Sequence, residues 1–239
     1  MSSKFVRDDS GAIRIVFTSQ EAHVVINLTE QLLELLGDGS IHSEIEVDPL
    51  FQMMGLGASE LPPEDPVLRR LLPSAYKDER SASEFRRYTE HGLREKKRAH
   101  ALLVYEALTP TDDDWSADQP IDKGSIEVAI SEQDAMAWLG ALNDLRLALA
   151  VRLGISKDFE QKQTEGKESR GSTEGSGLDG SGAGGSAESS LDSDLSKKFE
   201  LMKDSDPMKA VYAVYSWLGW LQQSLLEVLM EGGDEHQAS

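Results

Sequence analysis

The sequence predicts a mainly α-helical protein, a helical bundle with a small N-terminal β-sheet, and therefore an α+β fold. Two short stretches, at residues 13–17 and 126–130, alternate apolar and polar side chains as half-buried strands do. Each stretch is followed by a helix-capping pattern and a long apolar segment. The last apolar stretch, AVYAVYSWLGWLQQSLLEVLM, is interrupted by Gln222, Gln223 and Glu227, which is typical of a buried helix and not of a membrane span.

The N-terminal elements are a predicted hairpin and helix. Residues 9–11, Asp-Ser-Gly, favour a turn, and the alternating residues 13–17 form the strand after it. Thr18 precedes Glu21 by three residues, which is the spacing of a capping box. The pattern predicts a helix that begins here and continues to about Leu36, where a Gly-Asp-Gly sequence ends it.

The same order of strand, cap and helix recurs 113 residues later. SIEVAISEQDA repeats the arrangement of AIRIVFTSQEA, with Ser131 and Asp134 at the cap, and a helix is predicted up to about Leu153. Convergence is one explanation, because capping boxes are common. The alternative is that both strands pair in one sheet, with their helices beneath it as the backing that a small sheet needs. We predict that the strands do pair.

Three further helices are predicted in the rest of the chain. A short helix begins with Asp65 as N-cap and Pro66 in its first turn. A long helix follows, for which Ser81 and Glu84 form a second capping box. The last helix begins at residues 206–207, Asp-Pro.

The predicted organisation is a single helical domain, residues 1–239, with a flexible Gly/Ser-rich insertion at residues 157–206. The centre of this insertion, residues 164–196, contains no aromatic residue. Such a segment buries too little apolar surface to offset the entropy cost of ordering it.

The composition excludes several classes of site. The net charge is −19, with 43 acidic and 24 basic residues, which disfavours a general nucleic-acid binder. The chain has no Cys, so it has no disulfide, thiolate nucleophile or Cys-ligated zinc. The five His lack metal-ligand spacing, and no catalytic motif occurs. We expect no enzyme, cofactor or metal. The N-terminus lacks the apolar run of a signal peptide, which favours a cytoplasmic protein without a membrane segment.

The long helix carries the main candidate site. Residues 69–100 hold ten bases and five acids, so this window is positive in a negative chain. One explanation is a solvated helix face with pairs such as Glu90–Arg94. The other is a surface for an acidic partner; DNA is disfavoured by the net charge, so a protein is expected. The candidate partner-binding residues are Arg86, Arg87, Arg94, Lys97 and Arg98.

Polar residues also occur at positions that the helical pattern places near the core. Phe85, Tyr88, Lys96 and His100 fall on one helical stripe, which predicts that Lys96 and His100 lie close to the core face. The apolar helix that follows the second strand contains four polar residues. We predict that they form an ion-pair network joining helices, because buried charges need partners. They are Asn143, Asp144, Arg146 and Arg152.

Three stretches carry a family resemblance. They are DPVLRRLLPSAYKDERSASEFRRYTEHGLREKKRAHALLVYEAL, WLGALNDLRLALAVRLGI and YAVYSWLGWLQQSLLEVLM. Together they resemble an actinobacterial domain-of-unknown-function family that includes the oxidative-stress regulator AosR. With the N-terminal strand and helix, the resemblance covers most of residues 4–156 and 207–230.

The resemblance implies a non-enzymatic, cytoplasmic regulatory protein. It implies a stress-linked transcriptional regulator that acts through protein contacts, with a sigma factor as the expected partner. The alternative is an adaptor or scaffold in Clp-linked proteolysis, with a Clp component as the partner. Because the chain has no Cys, a thiol–disulfide switch within it is excluded. Nothing in the sequence indicates the oligomeric state.

Overall fold

The computed structural model describes residues 3–8, 10–37, 61–109, 124–155, 199–200, 202–203 and 205–235. The described elements are β1 (Val6–Arg7), β2 (Ile13–Thr18), α1 (Ser19–Leu36), α2 (Pro66–Leu71), α3 (Glu79–Leu108), β3 (Ser125–Ile130), α4 (Glu132–Arg152) and α5 (Pro207–Glu235). This mainly helical architecture with a small antiparallel sheet confirms the predicted α+β fold class. No helix within the described residues is long and apolar enough to cross a membrane.

The two repeated stretches form neighbouring strands of one sheet. The strand order is β1-β2-β3, and both pairings are antiparallel. In the register of β2 and β3, Ile15 lies opposite Val128 and Phe17 lies opposite Ile126. The prediction that these strands pair is therefore confirmed.

One face of this sheet is buried against α4. Ile13, Ile15 and Phe17 are buried along β2, while the residues between them are not. Trp138 of α4 is fully buried beneath them and stacks on Phe17 with ring centroids 6.5 Å apart. Phe5, which precedes β1, meets the same indole edge-on at 6.1 Å. The apolar residues that alternate along β2 therefore lie on the face of the sheet that packs on Trp138.

Three of the predicted helix starts are confirmed by their caps. The Thr18 hydroxyl accepts from the Glu21 amide at 3.3 Å, and the Glu21 carboxylate accepts from the Thr18 amide at 2.9 Å. At α4, the Ser131 hydroxyl accepts from the Asp134 amide at 3.1 Å. At α2, Asp65 accepts from two backbone amides.

The predicted start of α3 is wrong. The helix begins at Glu79, and its N-cap is Asp78, which accepts from the Ser81 amide at 2.9 Å. Ser81 is therefore within the first turn. The hydrogen bonds from Ser81 hold the pKa of Asp78 below its usual value. Asp is as good an N-cap as Ser, so Asp78, which comes first in the chain, accepts the hydrogen bond from the first turn of the helix.

The chain divides into two compact units, each described by itself. The first comprises residues 1–148 and 218–239 and contains the sheet. The second comprises residues 149–217, where Ala150, Ile155 and Tyr212 form a small core and Phe199 stacks on Tyr212 at 4.7 Å. Most of the predicted insertion at 157–206 lies outside the described residues, so its flexibility and the single-domain organisation stay predictions.

Candidate interaction surface on helix α3

Helix α3 changes character along its length. Its C-terminal half buries Ala101, Val104 and Leu108, and α3 packs against α1. In the N-terminal half, up to Lys96, the only buried residue is Arg86. The reason is compositional, because this half is dominated by charged residues and has few apolar side chains to bury.

Arg86 is buried within the fold, with only 6% of its surface exposed. Its Nη2 donates to the Ser74 hydroxyl at 2.7 Å, and its Nε lies 3.7 Å from Glu90 Oε2. The guanidinium thus ties the segment that follows α2 to α3.

Arg94 and Arg98 bind the C-terminal end of α1. Arg94 Nη1 donates to the Leu36 carbonyl at 2.9 Å, and its Nη2 donates to Glu90 at 2.8 Å. Arg98 Nη1 donates to the Gly37 carbonyl at 2.6 Å. The last carbonyls of a helix lack helical partners and attract cations. Since α1 has no basic residue in its own last turn, α3 supplies the positive charge.

Lys97 joins α3 to α4 through Asp144. Lys97 Nζ donates to Asp144 Oδ1 at 2.6 Å, and Asp144 is only 2% exposed. Burial raises the pKa of Asp144, and the hydrogen bond from Lys97 opposes that rise. Arg146, on the same helix, donates to Gln222 of α5 at 2.8 Å. The predicted ion pairing between helices is therefore confirmed for Asp144, and Arg146 joins two helices through a hydrogen bond to a neutral amide.

His100 packs against a glycine of α4. A β-carbon at Gly140 would lie 2.5 Å from His100 Nδ1, so only glycine permits this approach. Burial lowers the pKa of His100, Lys96 lowers it further, and Asp144 opposes the change. The imidazole is partly buried, as predicted, but Lys96 is exposed. The prediction for Lys96 is wrong because the buried face of α3 follows Arg86, Ala101 and Val104, around the helix from Lys96.

Arg87 differs from the other four candidates. Its guanidinium lies 5.1 Å from the ring centroid of Tyr88 and donates to the Tyr88 hydroxyl at 3.0 Å. It forms no ion pair with any described residue. The exposed Phe85 lies nearby on the helix and meets Tyr76 edge-on at 5.6 Å. We call Tyr76, Arg80, Phe85, Arg87 and Tyr88 the aromatic–arginine surface.

The structure thus separates the five candidates that the sequence grouped together. Arg86, Arg94, Lys97 and Arg98 each bind another part of the fold, and Arg87 lies on the aromatic–arginine surface. Partner binding by these residues stays a prediction. Surface positions were not predicted for Tyr76, Phe85 and Tyr88, because exposed aromatic side chains have no sequence signal until the buried face of the helix is known.

We expect Arg94→Ala to lower the free energy of unfolding by about 1.5–3 kcal/mol, because hydrogen bonds to charged groups contribute about that much. The matched control is Arg87→Ala, which we expect to change it by less than about 0.5 kcal/mol. Urea denaturation followed by circular dichroism measures both. Equal effects of the two substitutions would contradict the separation of structural and surface arginines.

The lowered pKa of His100 predicts a pH dependence of stability. The unfolded imidazole titrates near 6.5, and the folded one titrates below that value. The unfolded state therefore binds more protons in this window, so stability rises as pH rises through it and is lost as pH falls. We expect the melting temperature to increase from about pH 5 to about pH 7, and less steeply in His100→Gln. Asp144 is present in both proteins, so parallel curves would contradict the assignment to His100.

Comparison with known proteins places the chain in a family. The sequence profile of a domain of unknown function (DUF2017) matches residues 2–229. The oxidative stress regulators AosR of Mycobacterium bovis and of two strains of Mycobacterium tuberculosis are each 28% identical over 229 residues, which are 93% of this chain and 84% of the relative. No solved structure matches the chain. The resemblance found in the sequence is confirmed, and the chain belongs to the DUF2017 family.

Proposed function

We propose that the chain is a non-enzymatic, cytoplasmic regulator of a stress response that acts on transcription through contact with a protein such as a sigma factor. The observation that carries this proposal is the similarity to proteins named oxidative stress regulators over 93% of the chain. The family match at residues 2–229 includes α3 and the paired strands β2 and β3.

The composition of α3 supports a role in protein contacts. Tyr and Arg are enriched at protein interfaces and at the positions that contribute most to binding. The aromatic–arginine surface presents both residue types at the exposed end of α3.

The absence of Cys limits how such a regulator receives an oxidative signal. A thiol–disulfide switch needs thiols, and the chain has none. Any thiol–disulfide step in the response therefore lies in another protein, and the contact between the two proteins transmits it.

The test is affinity purification of the tagged full chain from its native host, before and after addition of hydrogen peroxide. It is combined with transcript profiling of a deletion strain. We expect a sigma factor in the purified complex and altered stress transcripts in the deletion strain. Retention of Clp subunits with unchanged transcripts would contradict the proposal and support the adaptor alternative. Retention of neither protein, with unchanged transcripts, would overturn both.

A further inference from the structure

The N-terminal half of α3 and the segment before it expose three aromatic side chains. Tyr76, Phe85 and Tyr88 are 53%, 43% and 62% exposed. Tyr76 and Phe85 meet only edge-on, and Tyr88 carries the Arg87 guanidinium on its ring. Phe85 and Tyr88 are three residues apart on the helix, so their side chains are neighbours. Grouped exposed apolar side chains of this kind mark interaction sites.

The same region carries cations that form no ion pair within the described part of the chain. Arg70, Lys77 and Arg80 are exposed and form no ion pair with any described residue. Arg87 contacts a ring and a hydroxyl group instead of a carboxylate.

The nearby acids balance this charge only in part: Glu79 and Glu84 are exposed close to Arg80 in the sequence and form no ion pair with any described residue. Asp78 caps α3, and Glu90 is shared between two buried or partly buried arginines, Arg86 and Arg94. The surface is therefore apolar and locally cationic, within a chain whose net charge is −19.

These properties decide between three kinds of occupant. The overall negative charge repels nucleic acid, and the cations that a phosphate backbone would need, such as Arg94 and Arg98, are bound to carbonyl groups of α1. The same charge weakens association with a second copy. An acidic protein segment carries fewer charges than nucleic acid or a second copy, so the net charge repels it less, and the exposed cations attract it at short range. Apolar side chains within the segment cover the rings.

We propose that the aromatic–arginine surface binds an acidic protein segment carrying apolar side chains. This inference rests on the proposed function and assigns the partner contact to the exposed N-terminal part of α3 and to Tyr76, which precedes it. The rings of Tyr76, Phe85 and Tyr88 supply apolar contact area with little loss of side-chain freedom. Arg80 and Arg87 lie two turns apart along α3 and select for negative charge.

The test places a photo-crosslinking amino acid, p-benzoylphenylalanine, at Tyr88 of the full chain in its native host. The matched control has it at Met136, an exposed residue of α4. We expect position 88 to cross-link to a protein segment that mass spectrometry identifies as acidic, and position 136 not to do so. Arg80→Glu with Arg87→Glu should reduce the yield at least tenfold, whereas Arg80→Lys with Arg87→Lys should retain most of it.

Three outcomes would overturn the inference. They are cross-links from position 88 to nucleic acid, to a second copy or to a neutral or basic segment; no cross-link at position 88; and an undiminished yield in the charge-reversed variant. If no acidic segment cross-links to position 88 while affinity purification still retains a sigma factor, the proposed function is supported and the assignment of the contact to this surface is wrong. Unfolding curves of the charge-reversed variant, which changes two residues on the helix surface, control for loss of folding.

Discussion

Replacing Asp144 by Ala should lower the free energy of unfolding by about 3 kcal/mol, because removal of one partner from a buried ion pair leaves the other charge uncompensated. Asp144 is almost completely buried, and Lys97, whose ammonium group lies 2.6 Å from its carboxylate, is largely buried as well. In the variant, Lys97 must either remain charged without its partner or move towards solvent. Urea denaturation at neutral pH measures the loss.

A double substitution distinguishes the contribution of the ion pair to stability from the contribution of packing. Replacing both residues, Lys97→Met with Asp144→Leu, removes both charges while keeping similar side-chain volumes, and such replacements are often neutral or stabilising. We expect the double variant to be more stable than Asp144→Ala. A double variant as unstable as Asp144→Ala would indicate that packing around these side chains, and not their charge, produces the effect.

Replacing Trp138 by Ala should lower the free energy of unfolding by about 3–5 kcal/mol, the usual cost of truncating a buried aromatic side chain. The indole is fully buried and contacts Phe5 and Phe17. Its loss leaves a cavity between the sheet and α4. We also expect lower hydrogen-exchange protection in β2, because this strand loses its backing.

The matched control for Trp138 is Met136→Ala, two residues earlier on the same helix. Met136 is exposed, so we expect its replacement to change stability by less than about 0.5 kcal/mol. A loss of less than about 1 kcal/mol in Trp138→Ala would contradict the view that this side chain is the main contact beneath the sheet.

Much of the fold could be predicted because its signals are local. The alternation in β2 and β3 and the caps at Thr18 and Ser131 depend on residues within one turn or strand. The prediction of where α3 begins was wrong for a local reason too, because Asp78 and Ser81 are both suitable N-cap residues. Pairing of the two distant strands was predictable because both carried the same pattern.

The roles of the basic residues could not be predicted, because their partners are distant in sequence. Lys97 binds a carboxylate 47 residues later, and Arg94 binds a carbonyl 58 residues earlier. Composition shows an excess of cations but not which ones the fold uses. Gly140 offered a partial signal, because glycine within a helix costs about 1 kcal/mol and often has a packing reason. The same signal at Gly92 of α3 corresponds to no close neighbour.

We expect the basic residues of α3 to have two separate roles, one group holding the fold together and the other contacting a partner. The most direct test measures the unfolding free energy and the cross-linking yield from position 88 in Arg94→Ala and in Arg80→Glu with Arg87→Glu. We predict that Arg94→Ala loses stability and keeps its yield per folded molecule, whereas the charge-reversed variant keeps its stability and loses its yield. The opposite pattern, or loss of both properties in both variants, would contradict the division.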